Sequence, residues 1–308
     1  MNKSIVLLIF ILLQFSFVMS IVVPYDFINF LFEESEIEND YLIIAEKSTQ
    51  KAWLYRFIST GIEEFKEFSI STGREHGNKN IRGDLKTPEG LYFAYPFISS
   101  ETLFNRYGSI ASQYGTGAWD LGYPNQLDRI RRKTGSGIWI HGTDVDLTPY
   151  DTEGCIRFEN EVITYFREEL DLMHTPVIIN EIINWVEIDF LYSELERIKL
   201  TLERWLDAWK VQDINNYLNF YCSDTFVTNN QNMSYFEWDK HKRAVFDNNN
   251  PVIIELSDYF YYYASNLLLV TFTQIYESKT VKSNGTKQLV MRKDENDWII
   301  IQEEWTSN

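Results

Sequence analysis

A histidine and a cysteine bracket one loop of this sequence, and both side chains are suited to acyl transfer. His141 follows the apolar run 137–140, and Cys155 follows Gly154. A cysteine is already partly thiolate near neutral pH, and an imidazole nearby raises that fraction and later returns the proton. The pair therefore predicts the nucleophile and the general base of a cysteine acyl transferase.

The residues next to this pair favour the same chemistry. The run 137–140 is predicted as a short buried strand, so His141 and Gly142 would lie at its exposed end, where catalytic groups are common. Gly154 can adopt backbone angles closed to other residues and leaves space for a substrate beside the sulfur. We expect main-chain amides near Gly154 and Cys155 to point at a developing oxyanion.

Four segments together resemble the L,D-transpeptidase (YkuD-like) catalytic domain. The signature is IHGT at 140–143 followed by TEGCIRF at 152–158. The other three agree with the family in order and spacing: STG at 71–73, TPEGLY at 87–92 and YPNQLDR at 123–129. The resemblance spans roughly residues 41 to 184 and implies a mostly β catalytic domain, a β-sandwich, over 41–185.

The resemblance also implies roles for individual residues. Cys155 resembles the nucleophile, His141 the general base and acid, and Gly142 the residue whose carbonyl holds the imidazole tautomer. Candidate substrate-binding residues are Arg157, Gly154, Thr143, Asp128 and Arg129. The Arg157 fork suits loop carbonyls and a peptide carboxylate equally well, and Asp128 and Arg129 either line the cleft or pair on a loop.

One residue departs from the family pattern. Many members have Ser-His-Gly-Cys at the nucleophile, whereas this chain has a carboxylate, Glu153, in place of the second pocket histidine. The change leaves the nucleophile in place. It puts acceptor binding and the pH profile in question.

The amino terminus has the pattern of an export signal. A short basic start is followed by an apolar run over 5–19, and cleavage after Ser20 is one alternative. Because the apolar stretch continues through Val23, an uncleaved inner-membrane anchor of about 20 residues is the other. Residues 1–20 are thus predicted as signal peptide or anchor and 21–40 as a linker, and both alternatives place the chain in the periplasm or cell envelope.

Composition limits the classes of partner and cofactor. The chain has 308 residues, enough for two domains, and 28 basic against 45 acidic residues give a net charge of −17. That charge opposes binding to nucleic acid. Four histidines and two cysteines show no zinc spacing, so neither a metal nor another cofactor is predicted. Cys222, among aromatic residues, is interpreted as a buried thiol and not as a disulfide partner of Cys155.

Hydrophobic periodicity predicts the elements of the first domain. Strands are predicted at 42–45, 52–57, 65–71, 91–97 and 177–179, with a surface loop at 74–86. A helix is predicted over 159–170, where apolar residues recur at helical spacing. These elements would position the histidine and cysteine between them.

The second half of the chain, 186–308, has a different order of predicted elements. A long amphipathic helix is predicted at 188–210, and then strands at 252–263, 267–276, 288–293 and 298–305 with a hairpin turn at 283–285. This order implies an α+β domain and resembles the nuclear-transport-factor-like (SnoaL-type) cone. An L,D-transpeptidase domain joined to such a cone resembles the cell-shape L,D-carboxypeptidases of curved Gram-negative bacteria. In those, as the resemblance implies, the cone assists substrate placement or self-association, so a homodimer is one open alternative.

The sequence therefore predicts an exported cysteine enzyme that acts on peptidoglycan stem peptides and cleaves the bond between an L-centre and D-Ala through a thioester. Transfer to an amine would cross-link two stems, and transfer to water would give a trimmed tripeptide; the domain pairing slightly favours water. Two alternatives stay open: a non-catalytic envelope binding module and a general papain-like protease. The family segments count against the protease.

Overall fold

The structure, a computed structural model, describes residues 21–32, 41–58, 61–228, 233–248, 252–295 and 297–307. The predicted leader lies outside these residues. Within the ranges given, no helix combines the length and the apolar character needed to cross a membrane.

Two sheets form the first domain. Its elements in chain order are β1 (Val22–Pro24), a 3-10 helix (Tyr25–Phe30), β2 (Tyr41–Glu46), β3 (Lys51–Ile58), β4 (Gly61–Ser69), β5 (Gly90–Tyr92), β6 (Ile98–Ser99), α1 (Ser100–Tyr107), a second 3-10 helix (Gly108–Tyr114), β7 (Gly117–Asp120), α2 (Gln126–Ile130), β8 (Trp139–His141), β9 (Ile156–Arg157), α3 (Asn160–Glu169), β10 (Val177–Asn180) and β11 (Trp185–Glu187). One sheet has the order β4-β3-β2-β10-β5 and the other β6-β7-β8-β9. Their inward apolar side chains share one core with α3, which confirms the predicted β-sandwich.

The strand predicted at 91–97 is shorter in the structure. Strand β5 ends at Tyr92, because the next amides leave the ladder: Ala94 N–H donates to Leu172 O at 3.0 Å and Tyr95 N–H to Asp120 O at 2.7 Å. Tyr95 thus connects the end of the first sheet to β7 in the second.

The described part of the predicted linker is packed into the fold. Strand β1 pairs antiparallel with β11, and the 3-10 helix after it buries Phe27 and Ile28. With Phe32, these side chains join a core that also contains Leu42 from β2. Burial of such side chains stabilises a fold by about 1.5–3 kcal/mol each, which explains why an apolar segment does not remain a linker. Residues 33–40 lie outside the described ranges.

A long helix and a curved sheet make the second domain. Its elements are α4 (Ile188–Lys210), α5 (Ile214–Leu218), β12 (Val227–Thr228), α6 (Tyr235–Asn248), β13 (Val252–Ala264), β14 (Leu267–Ser278), β15 (Lys282–Asp294) and β16 (Asp297–Ser307), with sheet order β12-β16-β15-β14-β13. The buried stripe of α4, including Leu191, Leu195 and Ile198, packs on the inner face of the sheet. The α+β cone is confirmed.

The hairpin turn predicted at 283–285 is wrong. These residues lie within β15, with Gly285 opposite Gln274 on one side and Ser307 on the other. A Cβ at Gly285 would lie 2.3 Å from Thr306 O and 3.0 Å from the Trp305 ring. The glycine therefore allows close approach of a neighbouring strand, a role of strand glycines that a turn motif conceals.

The two domains are joined by polar and apolar contacts. Leu127 of α2 packs in a cluster with Ala264 and Leu269 of the cone sheet. The Tyr262 hydroxyl accepts from Asn125 Nδ2 at 2.8 Å and also donates to the Leu91 carbonyl. The first domain thus packs directly against the sheet of the second domain.

Candidate active site

Parallel strands β8 and β9 bring the histidine and the cysteine to one cavity. Ile140 pairs with Ile156, and both are buried in the sandwich core. Because side chains alternate along a strand, His141 points to the opposite face, while Cys155 stands directly before β9. Both line a cavity of about 390 Å³.

Charged side chains of both signs line this cavity. The cations are Arg74, Lys79, Arg82 and Arg157, and the carboxylates are Asp151 and Glu153. Arg74 lies 3.7 Å from Asp151 and 3.8 Å from Glu153. Arginine forks match carboxylate geometry, so the cavity is suited to a peptide that carries carboxylates.

His141 is held as one tautomer of a neutral imidazole. Its Nδ1 lies 2.7 Å from the Gly142 carbonyl oxygen, which can only accept, so Nδ1 carries the proton and Nε2 keeps its lone pair. Burial lowers the pKa of His141 to about 4, and the charge of Arg157 acts in the same direction. The carbonyl contact that the family resemblance implied is present.

The surroundings of Cys155 favour the protonated thiol. Its Sγ donates to the Gly137 carbonyl at 3.6 Å. The pKa of the thiol is raised to about 11, chiefly by burial; the charges of Asp120 and Glu153 act in the same direction, and the Trp139 amide and the Arg157 charge oppose them. Burial penalises the charged form of each side chain, which favours a neutral thiol and a neutral imidazole before substrate binds and a smaller thiolate fraction than a histidine neighbour alone would give.

Two family models match this chain. Residues 40–179 match the YkuD family, the L,D-transpeptidase catalytic domain, and residues 197–304 match the Cds6 C-terminal NTF2-like domain. The chain is an L,D-transpeptidase domain followed by an NTF2-like domain. The family resemblance inferred from sequence is confirmed.

Solved structures with both domains are similar over nearly the whole chain. Bd1075 of Bdellovibrio bacteriovorus is 28% identical, with 93% of this chain and 99% of that one covered and a TM-score of 0.62. The helical cell shape determining protein Pgp2 of Campylobacter jejuni is 26% identical, with 91% and 99% covered and a TM-score of 0.65. No curated protein matches the sequence.

Two threonines hold the loop before Cys155 in the L,D-transpeptidase domain. Gly154 has a φ of +125°, and a Cβ there would lie 2.6 Å from Lys86 O, so only glycine fits. Thr87 Oγ1 donates to Gly154 O at 2.9 Å, and Thr152 Oγ1 accepts from Gly154 N–H at 3.1 Å. Since the Gly154 amide is already bonded, the oxyanion role expected there is not available to it in this arrangement.

Arg157 lines the cavity and holds the loop before Cys155 through hydrogen bonds to Asp151. Its Nη2 donates to Asp151 O at 3.1 Å and its Nη1 to Asp151 Oδ2 at 3.3 Å. These contacts favour the loop-holding alternative for Arg157. Its charge still faces the reacting pair, since it lowers the pKa values of both His141 and Cys155.

Four proposed substrate-binding residues lie outside the cavity lining, and Gly154 of the cysteine loop is one of them. Thr143 is buried, and its Oγ1 accepts from Val145 N–H at 3.2 Å. Arg129 is exposed on α2. Asp128 is 3% exposed and forms an ion pair of 2.7 Å with Lys133.

Asp128 is a structural residue. It forms a capping box with Asn125 at the start of α2 and accepts a hydrogen bond of 2.9 Å from the Tyr92 hydroxyl. These contacts favour a structural role for Asp128 over the cleft-lining alternative. The Asn-x-x-Asp spacing is itself a helix-start signal and could have been recognised as one.

Sequence reasoning missed Tyr114 and the cavity cations Arg74 and Arg82. The Tyr114 ring stands edge-on to the His141 ring, with centroids 5.1 Å apart. It comes from the 3-10 helix after α1, between the family segments at 87–92 and 123–129, and no spacing in the sequence marks it. Among the described residues, no group of three or more histidine, cysteine or acidic side chains could hold a metal ion.

Proposed function

We propose that this protein is an exported cysteine enzyme that cleaves the bond between the L-centre of a diamino acid and D-Ala in peptidoglycan stem peptides. The observation that carries the proposal is the shared cavity of Cys155 and His141, with Nε2 of a fixed tautomer available as base. The similarity to a cell shape determining protein over both domains supports a role in cell-wall remodelling and shape.

The reaction follows from the neutral resting pair. As Sγ attacks the carbonyl carbon, the thiol proton moves to His141 Nε2, so that charge develops only when substrate is present. The Cys155 amide is the remaining candidate of the expected pair to stabilise the oxyanion, a contribution of about 2.7–4 kcal/mol for one donor. The imidazolium then protonates the amine of D-Ala as the C–N bond breaks, leaving a thioester on Cys155.

The fate of the thioester decides between two activities. Attack by water regenerates the thiol and releases a tripeptide, and attack by an amine of a second stem forms a cross-link. We favour hydrolysis because the chain shares its domain pair with a cell shape determining protein. Self-association through the NTF2-like domain is a further part of the hypothesis.

The test is incubation of the purified protein with tetrapeptide muropeptides, with products resolved by mass spectrometry. Tripeptide without dimers is the expected result. Dimers as the main product would replace carboxypeptidase by transpeptidase activity, and no product at all would sink the enzymatic proposal. Fractionation of cells that carry the full chain tests export: the protein should be found with the periplasm or envelope, and recovery in the cytoplasm would contradict it.

One observation favours the second candidate, a non-catalytic envelope module. A thiol with a pKa of about 11 is unreactive in isolation. Slow alkylation near neutral pH is expected of the neutral pair in either case, so labelling does not separate the two candidates. Turnover of muropeptides does, because a binding module gives none.

A further inference from the structure

Asn160 connects three segments around the catalytic histidine. It is the first residue of α3, three positions after the nucleophile strand β9 ends. Its Oδ1 accepts a hydrogen bond of 2.9 Å from Thr116 N–H, and its Nδ2 donates one of 2.7 Å to Asp144 Oδ1. Because an amide N–H only donates and a carboxylate accepts, these contacts fix which end of the Asn160 side chain is which.

The same oxygen lies against two glycines. A Cβ at Gly142 would lie 2.2 Å from Asn160 Oδ1, and a Cβ at Gly115 would lie 2.0 Å from it. Real Cβ atoms essentially never come within 3.0 Å of such a neighbour. Glycine at both positions therefore lets the amide of Asn160 contact the main chain directly.

The main chain that Asn160 contacts is the part that orients His141. The Gly142 carbonyl is the acceptor for His141 Nδ1, and the Gly142 amide donates to Gly117 O at 3.2 Å. On the other side of the Asn160 side chain lie Gly115 and Thr116. They directly follow Tyr114, whose ring stands edge-on to the imidazole of His141. Asn160 thus contacts both main-chain segments beside His141, residues 115–116 and Gly142, although it does not line the cavity.

We propose that Asn160 is a positioning residue for the reaction: it fixes the Gly142 peptide so that its carbonyl holds Nδ1–H and Nε2 faces the sulfur. The inference rests on the proposed function only where turnover is the readout. It goes beyond that function in assigning the control of the histidine tautomer to a side chain outside the cavity.

The experiment compares Asn160→Ala, Asn160→Asp, Asp144→Asn and the double variant Asn160→Asp with Asp144→Asn. Asn160→Ala should lower kcat by about 10²-fold with little change in KM, as expected when a catalytic group is misplaced by about 1 Å. Asn160→Asp alone sets two carboxylates against each other and should be as poor. In the double variant the introduced carboxylate accepts from Thr116 and from the introduced amide, so most of kcat should return.

A readout without substrate separates this inference from the proposed function. Nitrogen-detected NMR of the His141 ring should show one tautomer, with the proton on Nδ1, in the parent and in the double variant, and a mixture in Asn160→Ala. A merely structural role predicts a lower melting temperature with the tautomer unchanged. An unchanged tautomer in Asn160→Ala would overturn the inference even if muropeptides are turned over, and a single Nδ1–H tautomer that becomes mixed would support it even if they are not. Should Asn160→Ala not fold, a double variant that fails to restore the tautomer lost in Asn160→Asp would overturn it as well.

Discussion

Two cavities of similar size, one in each domain, show opposite effects of burial on the charge of their side chains. The cavity that contains His141 and Cys155 measures about 390 Å³, and a cavity of about 370 Å³ lies in the NTF2-like domain. In the first, burial leaves His141 and Cys155 uncharged. In the second, Glu303 stands between two buried ammonium groups, with Lys287 at 2.5 Å and Lys242 at 3.6 Å.

The difference lies in whether counter-charges outweigh the cost of desolvation. Burial alone would raise the pKa of Glu303, but the charges of Lys242 and Lys287 and a hydrogen bond from Tyr221 outweigh it and hold the pKa at about 2. Near His141 the charge is that of Arg157, which disfavours the imidazolium, and near Cys155 the same arginine does not outweigh burial, so each side chain keeps the neutral form that desolvation favours. A reacting pair must change its charge during turnover, whereas a paired cluster is stable only while its charges stay fixed.

The largest expected effect separates the two cysteines. Cys155→Ala should lower turnover of tetrapeptide muropeptides by about 10⁴-fold or more, because loss of a nucleophile removes the covalent route. Cys222 is buried in the NTF2-like domain, and Cys222→Ala is the matched control. Product formation measured by mass spectrometry checks both. Activity that survives in Cys155→Ala, or is lost in a folded Cys222→Ala, would break the assignment of the chemistry to the first cavity.

The second effect concerns the paired cluster. Glu303→Gln leaves two buried ammonium groups without a carboxylate and should lower the free energy of unfolding by about 3–5 kcal/mol. Glu277 forms an exposed ion pair with Lys282, so Glu277→Gln should cost only about 0–1 kcal/mol. Denaturant unfolding of the three proteins measures the difference. If the two variants lose the same free energy of unfolding, the ion pairs of Glu303 do not contribute more to stability than an exposed ion pair does.

The pH dependence of this effect has a definite sign. The pKa of Glu303 is lower in the folded chain than its usual 4.5, so its contribution to stability is present above pH 4.5 and is lost as pH falls toward 2. Glu303→Gln should therefore reduce the loss of stability over that interval.

The sequence predicted regular elements better than charge states. The apolar stripe of α4 predicted a helix over 188–210, and the structure has Ile188–Lys210, because a 3.6-residue repeat is local information. The histidine–cysteine pairing was also predictable, since the family segments contain both residues. Their neutral state was not, because it depends on how completely the tertiary fold buries them.

Other failures have the same physical origin. The packing of 21–32 between the domains, the capping role of Asp128 and the close strand approach at Gly285 each depend on residues distant in the sequence. Tyr114 stands beside the imidazole only because the helical segment after α1 folds back over β8. No local pattern marks such a contact.

A third prediction tests the neutral pair directly. With a pKa of about 4 for His141, kcat/KM should rise as pH increases through 4, where the imidazole loses its proton and becomes able to act as base, and stay level through neutral pH. A resting ion pair of thiolate and imidazolium would instead need a histidine pKa well above 6.5. The measurement is kcat/KM for tetrapeptide between pH 3 and 8. If kcat/KM instead rises with a midpoint near pH 6.5 or above, His141 is not held neutral by burial, and the two cavities do not differ in the way described.

The smallest effect is expected at the residue that departs from the family pattern. The Glu153 side chain is 76% exposed, and its charge raises the pKa of Cys155. Glu153→Gln should therefore lower the thiol pKa slightly, change stability by about 0–1 kcal/mol and alter kcat/KM by less than about tenfold. The rate of Cys155 alkylation as a function of pH measures the shift, with Glu168→Gln, an exposed change outside the cavity lining, as the control. A large loss of turnover with an unchanged alkylation profile would show that Glu153 contacts the substrate, so that the first cavity, too, depends on a fixed charge.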